Sequence, residues 1–215
     1  MLAYFLSVLI PLFIVVDSIG NVPVFFALLG KYSKAEKTRI IFRSTFIAFI
    51  VFALFSIFGN YLLDWMGIRI YSFQIAGGIL LFIIALEMLF GQRTRTEHSE
   101  GEIERSLEKK SIAVTPLAIP LLTGPGAITS GLIFFGIALS QPSFAGILSY
   151  AVIFLLAAFV VYLISFIVLV KSRILYDLLG VDGTLVVTRI MGLVLAGFAV
   201  QMFANGALTA LKLVF

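Results

Sequence analysis

Six stretches of this chain are apolar for about twenty residues or more, at about 2–30, 44–63, 70–90, 112–139, 144–170 and 186–211. A helix rises about 1.5 Å per residue, so about 20 apolar residues cross the hydrocarbon core of a bilayer. Inside that core no water satisfies a peptide group, and only helices or closed barrels can span it. The alternation of a membrane barrel is absent. These stretches predict an all-α integral membrane protein with six transmembrane helices. The composition agrees: 61% of residues are hydrophobic and 12% charged, against about 45–50% and about 25% in soluble domains. The opening "MLAYFLSVLIPLF" has no basic leader and no small-residue cleavage pattern, so it reads as a retained first span. There is no cysteine, which excludes disulfides, thiol chemistry and thiolate metal sites. No residue pattern calls for a cofactor or a metal.

Lysine and arginine set the orientation. Lys31, Lys34, Lys37, Arg39 and Arg43 follow the first span; Arg93, Arg95, Arg105, Lys109 and Lys110 follow the third; Lys171 and Arg173 follow the fifth, with Arg189 at the start of the sixth. Of the 15 basic residues, only Arg69 and Lys212 fall on the other side. The positive-inside rule puts the larger set in the cytoplasm and both termini outside. The pI near 9.4 is thus a matter of topology, and no nucleic-acid partner is expected. Residues 91–110 carry five basic and five acidic side chains, which suits a solvated cytoplasmic linker. Its His98 has no ligand partners nearby. The linker divides the chain into residues 1–90 and 111–215, three spans each.

The halves resemble each other. "PLFIVVDSIGNV" from Pro11 aligns with "PLAIPLLTGPGAI" from Pro116, and "QIAGGIL" in span 3 with "RIMGLVL" in span 6. One register pairs Gly77 with Gly192. A one-residue slip pairs Gly78 with Gly192, Ala85 with Ala199 and Met88 with Met202, and the residues alone leave the choice open. An odd number of spans per half turns the second half upside down. Two inverted three-helix repeats are a common plan of secondary transporters.

The first span of each half is interrupted. Asp17, Gly20, Asn21 and Pro23 break one; Gly124, Pro125 and Gly126 break the other. Irregular backbone at that depth requires a covering of protein or a water-lined cavity. The second half of each broken helix starts near the midplane, and its unpaired N–H groups suit an anion such as a carboxylate. The carbonyl ends of the first halves suit an ammonium or a coupling cation. Ser18, Asn21, Thr123 and Thr129 add neutral hydrogen-bonding groups, and the glycines let backbone approach a small solute. The plainer reading is that the breaks only kink their helices and that Asp17 caps the next half-helix. Against it, an acid at the centre of a span costs about 2.5–3.5 kcal/mol on insertion scales and defaults to a functional role. Glu87 and Asp64 lie near span ends and are expected to reach headgroups. Two polar pairs, Gln201 with Asn205 and Tyr162 with Ser165, are expected to make interhelical hydrogen bonds. Gly77, Gly78, Gly192 and Gly197 are expected to let spans 3 and 6 pack closely.

"PLAIPLLTGPGAITS", "DSIGNVPVF", "QIAGGIL" and "TRIMGLVL" together resemble the MarC/SnatA family of six-span bacterial and archaeal membrane proteins. The resemblance covers nearly the whole chain. It implies a secondary transporter of neutral amino acids such as glycine and alanine in the cytoplasmic membrane, coupled to the proton gradient. Carried over by motif, the site would comprise Asp17, Gly20 and Asn21 with Gly124, Pro125 and Gly126, and Asp17 would carry the coupling charge. The family usually has proline after the aspartate, where this chain has Ser18. It often has arginine before "IAGG", where this chain has Gln74. The expected partners are the substrate and the lipid bilayer, with a homo-oligomer left open. The alternative on the same plan is a channel or a lipid-carrier flippase. An enzyme is not expected: Asp17 stands alone near the midplane, and the only histidine is in the linker. The P-loop of a primary pump is absent.

Overall fold

The computed structural model describes residues 1–29, 32–90 and 122–214. Among them the regular elements are helices: α1 Leu2–Val16, α2 Val22–Leu29, α3 Lys34–Trp65, α4 Ile70–Phe90, α5 Pro125–Leu139, α6 Phe144–Val170 and α7 Ser172–Val214. Four of them, α3, α4, α6 and α7, are each long and apolar enough to cross a membrane. At 15 residues, α1 and α5 are too short to cross alone, each rising about 22 Å. Together α1, a turn at residues 17–21, and α2 fill the first expected span. Of the fourth expected span the description covers Leu122 onward. The earlier part, and the linker expected at 91–110, lie outside the described residues.

Local chemistry sets the ends. Ser33 opens α3 with a capping box: its hydroxyl accepts from Glu36 N–H at 3.4 Å, and the Glu36 carboxylate accepts from Ser33 N–H at 2.9 Å. The helix thus starts about ten residues before its apolar part. Ser143 caps α6 by accepting from Gly146 N–H at 3.1 Å. Between α3 and α4 the chain turns through Gly67 at φ 72°. The sixth span differs from expectation. Helix already begins at Ser172 and is interrupted at Gly180, whose φ of 62° and ψ of −169° suit glycine almost alone. The stretch expected as a bare connection is instead a short helical segment, because "SRILYDLL" holds good helix formers and no proline.

One cluster of buried side chains joins α1, α2, α3, α5 and α6 around Leu12, Phe25, Phe52, Phe154 and Val161. A second joins α1, α4, α5 and α7 around Ile14, Leu81, Ala85, Ile133 and Leu195. Large apolar side chains also cover the outside, among them Phe46, Phe58, Leu156 and Leu193, as a lipid solvent requires. The helices pair in a regular way. In the first half α3 packs on α5 and α6, and in the second α6 also packs on α1. The most extensive contact is α4 on α7.

Glycines bring α4 and α7 backbone to backbone. A Cβ added to Gly78 would lie 2.9 Å from Ala199 O and 2.8 Å from Phe203 N. One added to Gly192 would lie 3.0 Å from Ala85 O and 3.1 Å from Leu89 N. The two sets interchange when Gly78 is swapped with Gly192, Ala85 with Ala199 and Leu89 with Phe203. They match the slipped register and not the one pairing Gly77 with Gly192. Gly77 packs chiefly against Thr129 and Ile133 of α5, with the Met202 side chain of α7 also in reach. Gly197 packs on nothing within 4 Å, contrary to expectation. Gln201 and Asn205 bond each other along one exposed face of α7, at 3.3 Å, rather than across helices.

Candidate functional site

Both breaks are held on one face of α6. In the first, α1 ends at Asp17, which takes the left-handed conformation at φ 41° and ψ 52°. Aspartate tolerates that region better than most residues. Its carboxylate Oδ1 accepts from Gly20 N–H at 3.1 Å, and its carbonyl accepts from Asn21 N–H at 3.0 Å. Asn21 turns its side chain back, donating through Nδ2 to Val16 O at 3.3 Å. These local bonds replace those the helix would have made. They give the capping role of Asp17 a physical basis. Gly20 has no room for a side chain, since a Cβ would run into the Asp17 carboxylate and lie 2.8 Å from Thr188 Oγ1 on α7.

Ser18 points the other way. It is fully buried, and its hydroxyl donates to Ser165 Oγ at 2.5 Å; Ser165 in turn donates to Val161 O at 2.9 Å. A proline at position 18, which the resemblance leads one to expect, could not make this contact to α6.

In the second break, Thr123 donates to Ala48 O of α3 at 3.0 Å and lies 3.2 Å from Tyr162 Oη of α6. Tyr162 Oη also donates to Leu122 O at 3.3 Å. Gly124 is extended, at φ −76° and ψ 175°, a conformation open to any residue. Pro125 then opens α5 at its first turn, where its missing N–H costs nothing. Gly126 is packed, not open: an added Cβ would lie 2.7 Å from Ile84 Cδ1, 3.0 Å from Val15 Cγ1 and 3.3 Å from Leu81 Cδ2. The expected approach of a solute to this glycine is therefore covered by apolar side chains in this conformation. Thr129 is buried with its methyl against Gly77 of α4, away from the Tyr162 cluster.

The residues expected at the site thus divide. Ser18 and Thr123 meet neighbouring positions of α6, because Tyr162 and Ser165 are three apart and share a face. Val15, two residues before Asp17, touches Gly126. Asp17, Gly20 and Asn21 form a self-bonded turn facing α7. Each hydroxyl crosses between halves: Ser18 reaches α6, and Thr123 reaches Ala48 on α3. The expected interhelical role of Tyr162 and Ser165 holds, and its signal was their spacing. Ala48 and Thr188 carried no signal, one acting through a backbone carbonyl and the other by adjacency alone. A single neutral hydrogen bond between membrane helices contributes about 0.6 kcal/mol on average, so the contacts hold the breaks without locking them. No group of three or more His, Asp or Glu that could hold a metal ion occurs among the described residues.

Comparison with known proteins points the same way. The family model described as "MarC family integral membrane protein" matches residues 2–211. A UPF0056 membrane protein of Archaeoglobus fulgidus is 38% identical over 95% of this chain and 92% of its own length. One from Aquifex aeolicus is 35% identical over 97% and 94%, and YvbG, a UPF0056 membrane protein of Bacillus subtilis, is 34% identical over 96% and 95%. No solved structure matches. With the motifs of both breaks lying inside the matched residues, this chain belongs to the MarC family of integral membrane proteins.

Proposed function

We propose that the chain is a secondary transporter of small neutral amino acids, of the glycine and alanine class, driven by the proton gradient across a bacterial or archaeal cytoplasmic membrane. The observation that carries the proposal is the crossing of the two breaks. Ser18 of the first half bonds to α6, and Thr123 of the second half bonds to α3. A shift of one half against the other must therefore disturb both breaks together. The matched contacts of Gly78 and Gly192 support two inverted repeats of three spans, residues 1–90 and 111–215. So does the pairing of α1 with α6 and of α5 with α3. Inverted repeats with a broken helix in each are the plan of alternating access around a central site. Both termini then lie outside.

The substrate class follows from the ends of the breaks. The N-termini of α2 and α5 suit a carboxylate, and the carbonyl end of α1 beside Asp17 suits an ammonium. A small zwitterion satisfies both. Val15, Leu81 and Ile84 cover Gly126, so solute entry requires those side chains to part. The test is uptake of labelled glycine, alanine and serine into proteoliposomes, with proton and sodium gradients imposed separately. Accumulation of at least one of them under an inward proton gradient is expected. No accumulation of any, with protein shown to be folded and inserted, would remove the transporter reading.

A further inference from the structure

We propose that Glu87 is a loading site for a monovalent cation, a proton or an alkali ion, on the side of the breaks toward the C-terminal end of α4. Residue order alone put Glu87 near a span end, able to reach headgroups. In the structure Glu87 is half-buried; its Oε2 is buried and accepts no hydrogen bond among the described residues, on a helix, α4, long and apolar enough to span the membrane. A buried carboxylate oxygen without a donor is costly, and such an atom calls for a proton, an ion or a water. An acid inside a span is a functional site by default.

Its level in the bundle gives that ion a purpose. Tyr4 of α1 bonds to Phe134 O of α5, while Val15 touches Gly126, so α1 runs antiparallel to α5. Gly77 of α4 packs on Thr129 and Ile133, while Leu81 and Ile84 touch Gly126, so α4 does the same. Hence α1 and α4 are parallel, and both pass the start of α5 at one point. Beyond it, Glu87 is three residues past Ile84 and Asp17 two past Val15, about 4.5 Å and about 3 Å along their helices. The two acids of the spans thus share a level.

The surrounding charges are few. Of the elements packed on α4, α5 carries no titratable side chain. On α7, Gly192 lies against Ala85, Met88 and Leu89, and Arg189 is one turn away. Arg189 is exposed and makes no ion pair with Glu87 among the described residues. Asp17, the C-terminal cap of α1, is the charged residue at that end of the helix. With no cluster of three acidic or histidine ligands described, a single carboxylate suits a singly charged ion rather than a divalent one. Loading at Glu87 would give the ion a stop at the level of Asp17; that link rests on the transporter reading above, whereas the ion site does not.

Dicyclohexylcarbodiimide tests the site directly. It adds across a protonated carboxyl to give an O-acylisourea, which rearranges to a stable N-acylurea with no atom lost. The full chain in proteoliposomes is treated at a series of pH values, in choline, sodium or lithium salt, and the label is mapped by mass spectrometry. Labelling of Glu87 that falls as pH rises, and is absent in Glu87→Gln, is expected. Protection by sodium or lithium at constant pH assigns an alkali ion; equal labelling in all three salts assigns a proton. No labelling in the wild type at any pH, or labelling gained only in Arg189→Gln, would mean an ion pair or an inert acid and overturn the proposal. Uptake separates the two readings. Labelled Glu87 in a protein that carries none of the amino acids tested keeps the ion site and removes the transporter. Unchanged gradient-driven accumulation in Glu87→Gln keeps the transporter and removes Glu87 from its ion path.

Discussion

Replacing Gly78 or Gly192 by leucine will force α4 away from α7, and the two substitutions will cost alike. At each glycine the atoms nearest an added Cβ include backbone of the facing helix, at 2.8–2.9 Å for Gly78 and 3.0–3.1 Å for Gly192. A flexible side chain can swing aside, but a helix backbone moves only as a whole. Overpacking of this kind costs about 1–3 kcal/mol and sometimes more, and leucine is well above the smallest intruder. Most of the contact between these helices would be lost with the fold intact elsewhere, so a large drop in thermal stability in detergent is expected. Alanine is the finer probe: its helix propensity returns about 0.8–1 kcal/mol against the clash. Gly197→Leu is the control, because nothing lies within 4 Å of the added atom; its effect should stay within about 0.5 kcal/mol. A large loss at Gly78 with none at Gly192 would break the equivalence on which the inverted repeat rests.

The second large effect is functional and sits at Asp17. Asparagine also tolerates the left-handed conformation, and its amide oxygen can still accept from Gly20 N–H. Asp17→Asn therefore removes the charge and keeps the turn. If Asp17 carries the coupling proton, the variant loses gradient-driven accumulation by tenfold or more, yet still exchanges internal for external solute. If the carboxylate holds the substrate ammonium, both activities fall together. Asp17→Ala adds the loss of the Gly20 bond, worth about 1 kcal/mol, and separates folding from charge. Wild-type accumulation in Asp17→Asn, with the same pH dependence, would reduce Asp17 to the cap that its bond to Gly20 already makes it.

How far the sequence reached depended on the scale of the signal. Twenty-residue apolar runs overwhelm local detail, so the long spans were legible from hydropathy alone. The breaks were legible because Asp17, Gly20, Pro125 and Gly126 are expensive in a lipid-embedded helix. What they face was not. Gly126 looked like room for a solute and is instead packed by Val15, Leu81 and Ile84, because a missing side chain leaves the same mark for a ligand as for a neighbouring helix. The sequence predicts that Gln201 and Asn205 reach across helices, but i, i+4 spacing serves a bond within one helix equally well. The residues alone leave the pairing of Gly192 open between Gly77 and Gly78, whereas the backbone contacts of Gly78 and Gly192 correspond to each other. Gly180 carries no such signal, since a single glycine between Leu179 and Val181 gives no sign of a positive φ. For Glu87 the position in the run says only that a span end is near, and the burial of its Oε2 is set by the helices around it.

The central claim is that the two breaks form one site that works as a unit. Cysteines at Ser18 and Thr123 on this cysteine-free chain test it most directly. Their present partners on α6 are three residues apart, so a short bifunctional thiol reagent should join them. The expected result is efficient crosslinking within one chain and arrest of uptake once the link forms, with recovery when a cleavable link is cut. Failure to crosslink in folded, inserted protein, or full uptake by the linked form, would contradict the shared site.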